Sequence, residues 1–317
     1  MRGSLDGRLL WRLAWRIGAG VIAAAVAVVV FAPLGWPFEL AVSTLPQIAA
    51  GCGVVALVGV FVRQRAPALA LGVAACLAVF GARELLAPPS TAIPTPHARL
   101  VWANLLHKPE AFARVMALAA EVDADAVLIA EPARGLTREA RARLAGPFAH
   151  QAGQGRIDGV NVVIHARAPL LDTAVISVPA YSGKRGLTAS VQTGAGVLRV
   201  AAIHPPVPLA PDWQAQRDST LRAALALAAA NDGPMVLVGD FNTTPWSRVL
   251  RDVERQGGVR RASLGPWSTW MAPLPVLGLP IDHAYAAGGA DISARLGPWT
   301  GSDHRPLIVD VALPQSD

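Results

Sequence analysis

Only two cysteines occur in 317 residues, Cys52 and Cys76, and both fall in apolar stretches. The polar part of the chain therefore has no thiol for a disulfide, a zinc cage or a nucleophile. Charge is also scarce: 16% of residues are charged against 53% hydrophobic, which is more apolar than most soluble chains. The shortage is local, since charges almost vanish between residues 17 and 87. No long basic stripe offsets it. Seven arginines against three acidic residues through Leu86 give +4, which leaves only +2 of the net +6 for the rest. Nearly balanced charge argues against tight nonspecific binding to duplex nucleic acid.

The apolar part contains three candidate membrane spans. Ile17–Leu34 is uninterrupted and close to the roughly 20 residues that cross a bilayer as a helix. Ala41–Val62, with Pro46 and Gln47 near its start, is the second, and Pro67–Phe80, extending toward Leu86, is the third. Arginines precede the first run and recur at Arg63 and Arg65, whereas the loop after the first run carries only Glu39. The positive-inside rule then places the N-terminus in the cytoplasm and the chain outside the cytoplasmic membrane after the third span. A cleavable signal peptide is the competing reading of the first run, disfavoured by its length and by the apolar runs that follow. Pro88–Pro96 has four prolines in nine positions and reads as a stiff linker. The expected domains are thus a membrane region at 1–87, a linker at 88–99 and a polar domain at 100–317.

Within the polar domain, Leu100–Ala103 reads as a strand ending at Asn104, followed by a helix over Pro109–Val122. Ala126–Ala130 is a buried-type strand ending on Glu131. Gly159–His165, Leu187–Thr193 and Val197–Ile203 are further strands, the last running into His204. A helix over Asp212–Ala230 precedes the strand Met235–Val238. Thr244 and Pro245 are the expected N-cap and first residue of a helix through Arg255. Ile281–Ala286 and Pro306–Leu313 complete the strands. Several strands follow one another with only turns between them, which points to two packed sheets with helices outside.

Asn104, Glu131, His204, Asp240 and Asn242 each follow an apolar strand, and Asp303 and His304 precede one. Polar groups at strand ends can converge on one rim of a sandwich. Glu131 and Asp303 offer hard oxygens suited to Mg²⁺, with Mn²⁺ as the alternative, and Asn104 can add a carbonyl oxygen. His304, paired with Asp282, supplies an imidazole for proton transfer. Asp240 can orient or deprotonate a water, and His204 and Asn242 can donate hydrogen bonds to phosphate oxygens. Arg217 is either a phosphate clamp or an exposed helix arginine. His107, His150 and His165 have no matching carboxylate pattern.

Val238–Pro245, Ile281–His283 and Gly301–Pro306 resemble the GDFN, IDH and SDHRP motifs of the endonuclease/exonuclease/phosphatase superfamily, in order, and the similarity runs from about residue 100 to 313. Asn104, Glu131 and His204 match its earlier positions. The resemblance implies an α/β fold, a DNase I-like four-layer α/β sandwich, here preceded by transmembrane helices. It also implies Mg²⁺ dependence and in-line attack of water on phosphorus. Carried over, Glu131 is the main metal ligand, His304 works with Asp282 as the acid/base pair, and Asp240 and Asn242 position nucleophile and phosphate. Pro205-Pro206-Val207-Pro208 replaces the segment found in apurinic endonucleases, which speaks against DNA repair. The expectation is a membrane-anchored phosphatase or phosphodiesterase for lipid-linked or small phosphates. Its partners are that substrate and the lipid bilayer, and no protein partner is evident. An extracytoplasmic nuclease acting on nucleic acid is the alternative, and a noncatalytic binding module the third reading.

Overall fold

The computed structural model of the chain describes residues 7, 10, 11, 13–18, 20, 24, 35–61, 65–153, 161–178 and 181–314. They divide into two compact units, Met1–Glu84 and Leu85–Asp317. The first contains α1 (Phe38–Ser43), α2 (Leu45–Phe61) and α3 (Arg65–Gly81). The expected second span is broken at Thr44, whose N–H and hydroxyl both turn back to the Ala41 carbonyl at 3.1 and 2.9 Å. Helices α2 and α3 are 17 residues each, about 25 Å at 1.5 Å per residue. Among the described residues no helix is long and apolar enough to cross a membrane, so the transmembrane helices expected from the sequence are not supported. The first expected span, Ile17–Leu34, lies almost wholly outside the described residues. Helices α2 and α3 pack through Cys52, Leu71 and Ala74 and leave Leu57, Phe61, Leu69 and Phe80 exposed.

The second unit runs β1 (Ala98–Asn104), α4 (Pro109–Glu121), β2 (Ala126–Ala130), α5 (Arg138–Ala145), β3 (His150–Ala152), β4 (Val162–Ala166), β5 (Leu170–Val178), β6 (Tyr181–Thr193), β7 (Gly196–Ile203), α6 (Pro211–Ala229), β8 (Met235–Asp240), α7 (Arg248–Gln256), β9 (Arg260–Arg261), β10 (Asp282–Ala287), β11 (Asp291–Leu296) and β12 (Leu307–Ala312). One sheet has the order β11-β12-β1-β2-β4-β3 and the other β5-β6-β7-β8-β10-β9.

Side-chain alternation explains the layers. In β1, Leu100 and Trp102 face the space between the sheets, and Val101 and Ala103 face the helix layer with Phe112 and Val115 of α4. In β8, Val236 and Val238 face inward, while Met235 and Leu237 pack on Leu221 and Leu225 of α6. The result is helix, sheet, sheet, helix, the four-layer α/β sandwich that the motifs implied. Helix α7 starts later than expected. Ser247, not Thr244, is its N-cap, its Oγ accepting from Leu250 N–H, and Thr244 instead closes the preceding turn with Ser247 N–H at 3.0 Å.

Candidate active site

The inward parity of the strands runs to their end residues, and one step beyond in β7, and delivers the site. Asn104 follows Leu100 and Trp102 in register; His204 follows Leu198, Val200 and Ala202; Asp240 follows Val236 and Val238; Asp282 precedes Ala284 and Ala286. All four therefore open onto one end of the space between the sheets. Asp240 and Asp282 are direct partners across β8 and β10, and His204 stands one position beyond the Ile203–Gly239 pair of β7 and β8. The strands come this close at Gly239 because a Cβ there would collide with the Ile203 carbonyl. Glu131 has the opposite parity. A left-handed backbone at φ 46° turns it back toward the site, a conformation that costs a non-glycine residue about 1–2 kcal/mol.

His304 Nδ1 lies 2.8 Å from Asp282 Oδ2, and Trp102 Nε1 donates to the other Asp282 oxygen at 2.8 Å. Thr269 Oγ1 accepts the N–H groups of Ile281 and Asp282 at 3.1 and 3.0 Å, fixing the start of β10. Burial would raise the Asp282 pKa, but the His304 charge and the hydrogen bonds from His304, Thr269 and Trp102 hold it below the ordinary value. Burial alone would lower His304; the Asp282 and Asp240 charges overcome this and push it up to about 10. His304 is thus an imidazolium at neutral pH, with Nε2 3.6 Å from Asp240 Oδ2. Burial raises Asp240 to about 7, with the His304 charge opposing and the Asp282 charge adding to the shift.

Asn104 Nδ2 donates to Asp240 Oδ2 at 3.1 Å and approaches Glu131 Oε1 at 3.5 Å, while its Oδ1 accepts Leu106 N–H at 3.0 Å. Its amide nitrogen therefore faces the carboxylates, and the expected carbonyl ligand points away, held by the backbone. His204 Nε2 stands 3.7 Å from Glu131 Oε1 and 3.6 Å from Asp240 Oδ2. Asn242, left-handed at φ 49°, gives its N–H to Asp240 Oδ1 at 3.0 Å and one side-chain hydrogen to the Pro205 carbonyl at 3.0 Å. Among the described residues its other amide hydrogen is unused. Asp303 lies beside His304, but its oxygens receive Trp270 Nε1 at 3.1 Å and Ser302 Oγ at 3.2 Å.

Three residues were missed or misread from the sequence. Asn161 contacts His204 Nδ1 at 2.7 Å. His107 Nε2 lies 3.7 Å from Glu131 Oε2, and its backbone N–H donates to the Glu131 carbonyl at 3.0 Å. Arg217 is not an exposed arginine. It is 2% exposed, bonded through Nε and Nη2 to Asp218 Oδ1, and donates to the Asn242 carbonyl at 3.3 Å.

The profile of the endonuclease/exonuclease/phosphatase family matches residues 101–304. The chain belongs to this family. A UPF0294 protein of Vibrio parahaemolyticus is 30% identical over 97 residues, covering 30% of this chain and 34% of that protein. The matched segment thus spans about a third of the curated relative's length. Among solved structures, an endonuclease/exonuclease/phosphatase from Beutenbergia cavernae aligns with TM-score 0.56 and 21% identity over 69% of this chain and 72% of its own. The mannosyl-6-phosphatase of Bacteroides thetaiotaomicron aligns with TM-score 0.53 and 13% identity, over 68% and 100%. Sphingomyelinase C from Streptomyces griseocarneus gives 0.50 and 16%, over 68% and 99%. These likenesses establish the fold.

Members of the endonuclease/exonuclease/phosphatase family hydrolyse phosphoester bonds and generally depend on a divalent metal. Carboxylate oxygens are the donor type such an ion takes. Glu131 and Asp240 present hard oxygens toward the same two nitrogens, Asn104 Nδ2 and His204 Nε2. Asp240, Asp282 and His304 also hold ligand atoms within 4.8 Å of one another. Their 2.8 Å hydrogen bond, however, occupies His304 Nδ1 and Asp282 Oδ2, which makes this trio a proton network rather than a cage. Carboxylates outnumber cations around the site, so a phosphate would be repelled without a bound cation.

Proposed function

We propose that this protein is a Mg²⁺-dependent phosphatase or phosphodiesterase that acts on lipid-linked or small phosphates at the outer face of the cytoplasmic membrane. The observation that carries the hydrolase reading is the buried Asp282–His304 pair facing Asp240, with Glu131 and Asn104 converging from the other sheet. Mg²⁺ at Glu131, with Asp240 beside it, would supply charge neutralisation of the phosphoryl group. Asp240, facing His304 and the Asn104 amide, accepts the proton of the attacking water. His304, held protonated by Asp282, stabilises the charge on the phosphoryl oxygens and protonates the leaving oxygen. His204 Nε2 and the remaining Asn242 hydrogen donate to non-bridging oxygens.

Support for the substrate class comes from the near-neutral polar domain, which lacks the basic stripe that duplex binding favours. The fold hosts both a sphingomyelinase and a mannosyl-6-phosphatase and so does not choose among phosphoesters. Support for the membrane comes from the arginine distribution and from the exposed apolar side chains of α2 and α3. Purified full-length protein should release phosphate or a phosphorylated headgroup from polyprenyl phosphates, phospholipids or sugar phosphates with Mg²⁺ and lose this with a chelator. Efficient plasmid nicking with no turnover of the other substrates would overturn the substrate class in favour of a nuclease. No hydrolysis of any phosphoester would leave the binding-module reading. Recovery of the protein from cells in the soluble fraction would overturn the membrane placement.

A further inference from the structure

Asn161, directly before β4, links the two sheets at the site. Its carbonyl accepts the Glu131 N–H at 3.2 Å. Its side-chain Nδ2 lies 2.7 Å from His204 Nδ1 and 3.5 Å from the His204 carbonyl oxygen. A carbonyl oxygen can only accept, so the end of the amide turned toward His204 is the donating end. A ring nitrogen that accepts carries no proton. The proton of neutral His204 then sits on Nε2, the atom aimed at Glu131 and Asp240. Among the described residues Asn161 Oδ1 is buried without a hydrogen-bond partner, an arrangement that costs about 1–3 kcal/mol. Stability alone does not favour an amide at this position; the contact with His204 does.

We propose that Asn161 is a positioning residue that fixes His204 in its Nε2–H tautomer, so that His204 meets a phosphoryl oxygen as a hydrogen-bond donor and not as a base or metal ligand at that nitrogen. The phosphoryl part rests on the hydrolase reading above; the tautomer does not. Full-length protein with ring-¹⁵N histidine, at one fixed pH with Mg²⁺, gives a two-bond ¹⁵N–¹H spectrum in which the tautomers differ. The His204 signals are assigned by their loss in His204→Gln.

The wild-type spectrum should show the Nε2–H pattern. Asn161→Asp, whose carboxylate only accepts, should place a proton on Nδ1, and Asn161→Ala should give averaged signals. Both should lower kcat by about 10²-fold, the order expected for loss of one preorganised donor, with little change in KM. An Nδ1–H pattern in the wild type, or an unchanged His204 pattern in either folded variant, would overturn the proposal. The wild-type spectrum decides the tautomer even if neither variant folds. An Nε2–H spectrum from a protein that hydrolyses no phosphoester would defeat the hydrolase reading and leave the tautomer standing.

Discussion

His304 Nδ1 and Asp282 Oδ2 stand 2.8 Å apart with Asp282 wholly buried, and that contact keeps His304 protonated at neutral pH. Asp282→Asn leaves an oxygen for Trp102 Nε1 but removes the charge. His304 then loses its proton at lower pH, so the alkaline limb of the kcat/KM profile should move to lower pH. Turnover at neutral pH should fall by about 10²–10⁴-fold, the usual worth of general acid–base assistance. A variant with wild-type turnover and an unmoved alkaline limb would show that the pair does not set the proton.

Glu131→Gln keeps size and a neutral oxygen but removes the charge that a hard cation needs. The Mg²⁺ concentration for half-maximal activity should rise and turnover should collapse, while thermal unfolding changes little because Glu131 is partly exposed. Arg255→Ala is the control. Its guanidinium pairs with Asp252 on the surface of α7, and such exposed pairs contribute at most about 1 kcal/mol. A Mg²⁺ titration of both variants separates the two outcomes.

Arg217→Met should destabilise the fold by about 3 kcal/mol, since it strands Asp218 beside a buried, uncharged side chain. It also frees the Asn242 carbonyl from its anchor, so turnover should fall even at temperatures where the variant is folded. Urea unfolding of Arg217→Met and of Arg217→Met/Asp218→Asn checks the first part. The double variant should recover part of the loss. If it is no more stable than the single one, a stranded charge is not the cause.

His165 gives the fold an acid limit apart from the site. It is 1% exposed in the layer between β4 and α4. Burial, partly offset by a hydrogen bond with the Phe148 backbone, holds its pKa down to about 4, against an ordinary 6.5. The unfolded chain takes up the proton first. Stability is therefore full above about 6.5 and is lost as the pH falls toward 4, by about 3 kcal/mol in order of magnitude. His165→Gln should reduce the slope of the urea midpoint across that range by about half, because His283, lowered to about 3 by burial, keeps its own slope from about 6.5 down to about 3. An unchanged slope would assign the acid sensitivity elsewhere.

Asn104, His204 and Asp240 could be read from the sequence because each extends an inward-facing alternation by one step. Glu131 was visible by type, but its direction depends on a left-handed turn that no pattern of side chains encodes. Asn161 was not visible: it comes before its strand, and its partner lies 43 positions away in the other sheet. Trp102 looked like core, which it is, and its ring N–H matters only because Asp282, 180 positions on, arrives beneath it. Arg217 could have been placed. It falls in helical register with buried Thr220, Leu221, Ala224 and Ala228, and that spacing puts it inside. The helix after Asp240 was misplaced because Thr244-Pro245 and Ser247 both satisfy capping rules, and only the turn between them decides.

His204, Asp240 and Asp282 stand side by side across β7, β8 and β10, so backbone hydrogen bonds set their spacing at about 4.8 Å per strand. These three side chains are thereby carried by the stretches of chain least tolerant of a change in length. One residue inserted into β8 would rotate Asp240 onto the helix side of its sheet. The connections beyond the rung, 205–210 and 262–281, touch it through a few anchors only, Pro205 holding Asn242 and Thr269 fixing the start of β10. Such a division would let guests of very different size meet the same three side chains, with the connections and not the ladder setting the fit.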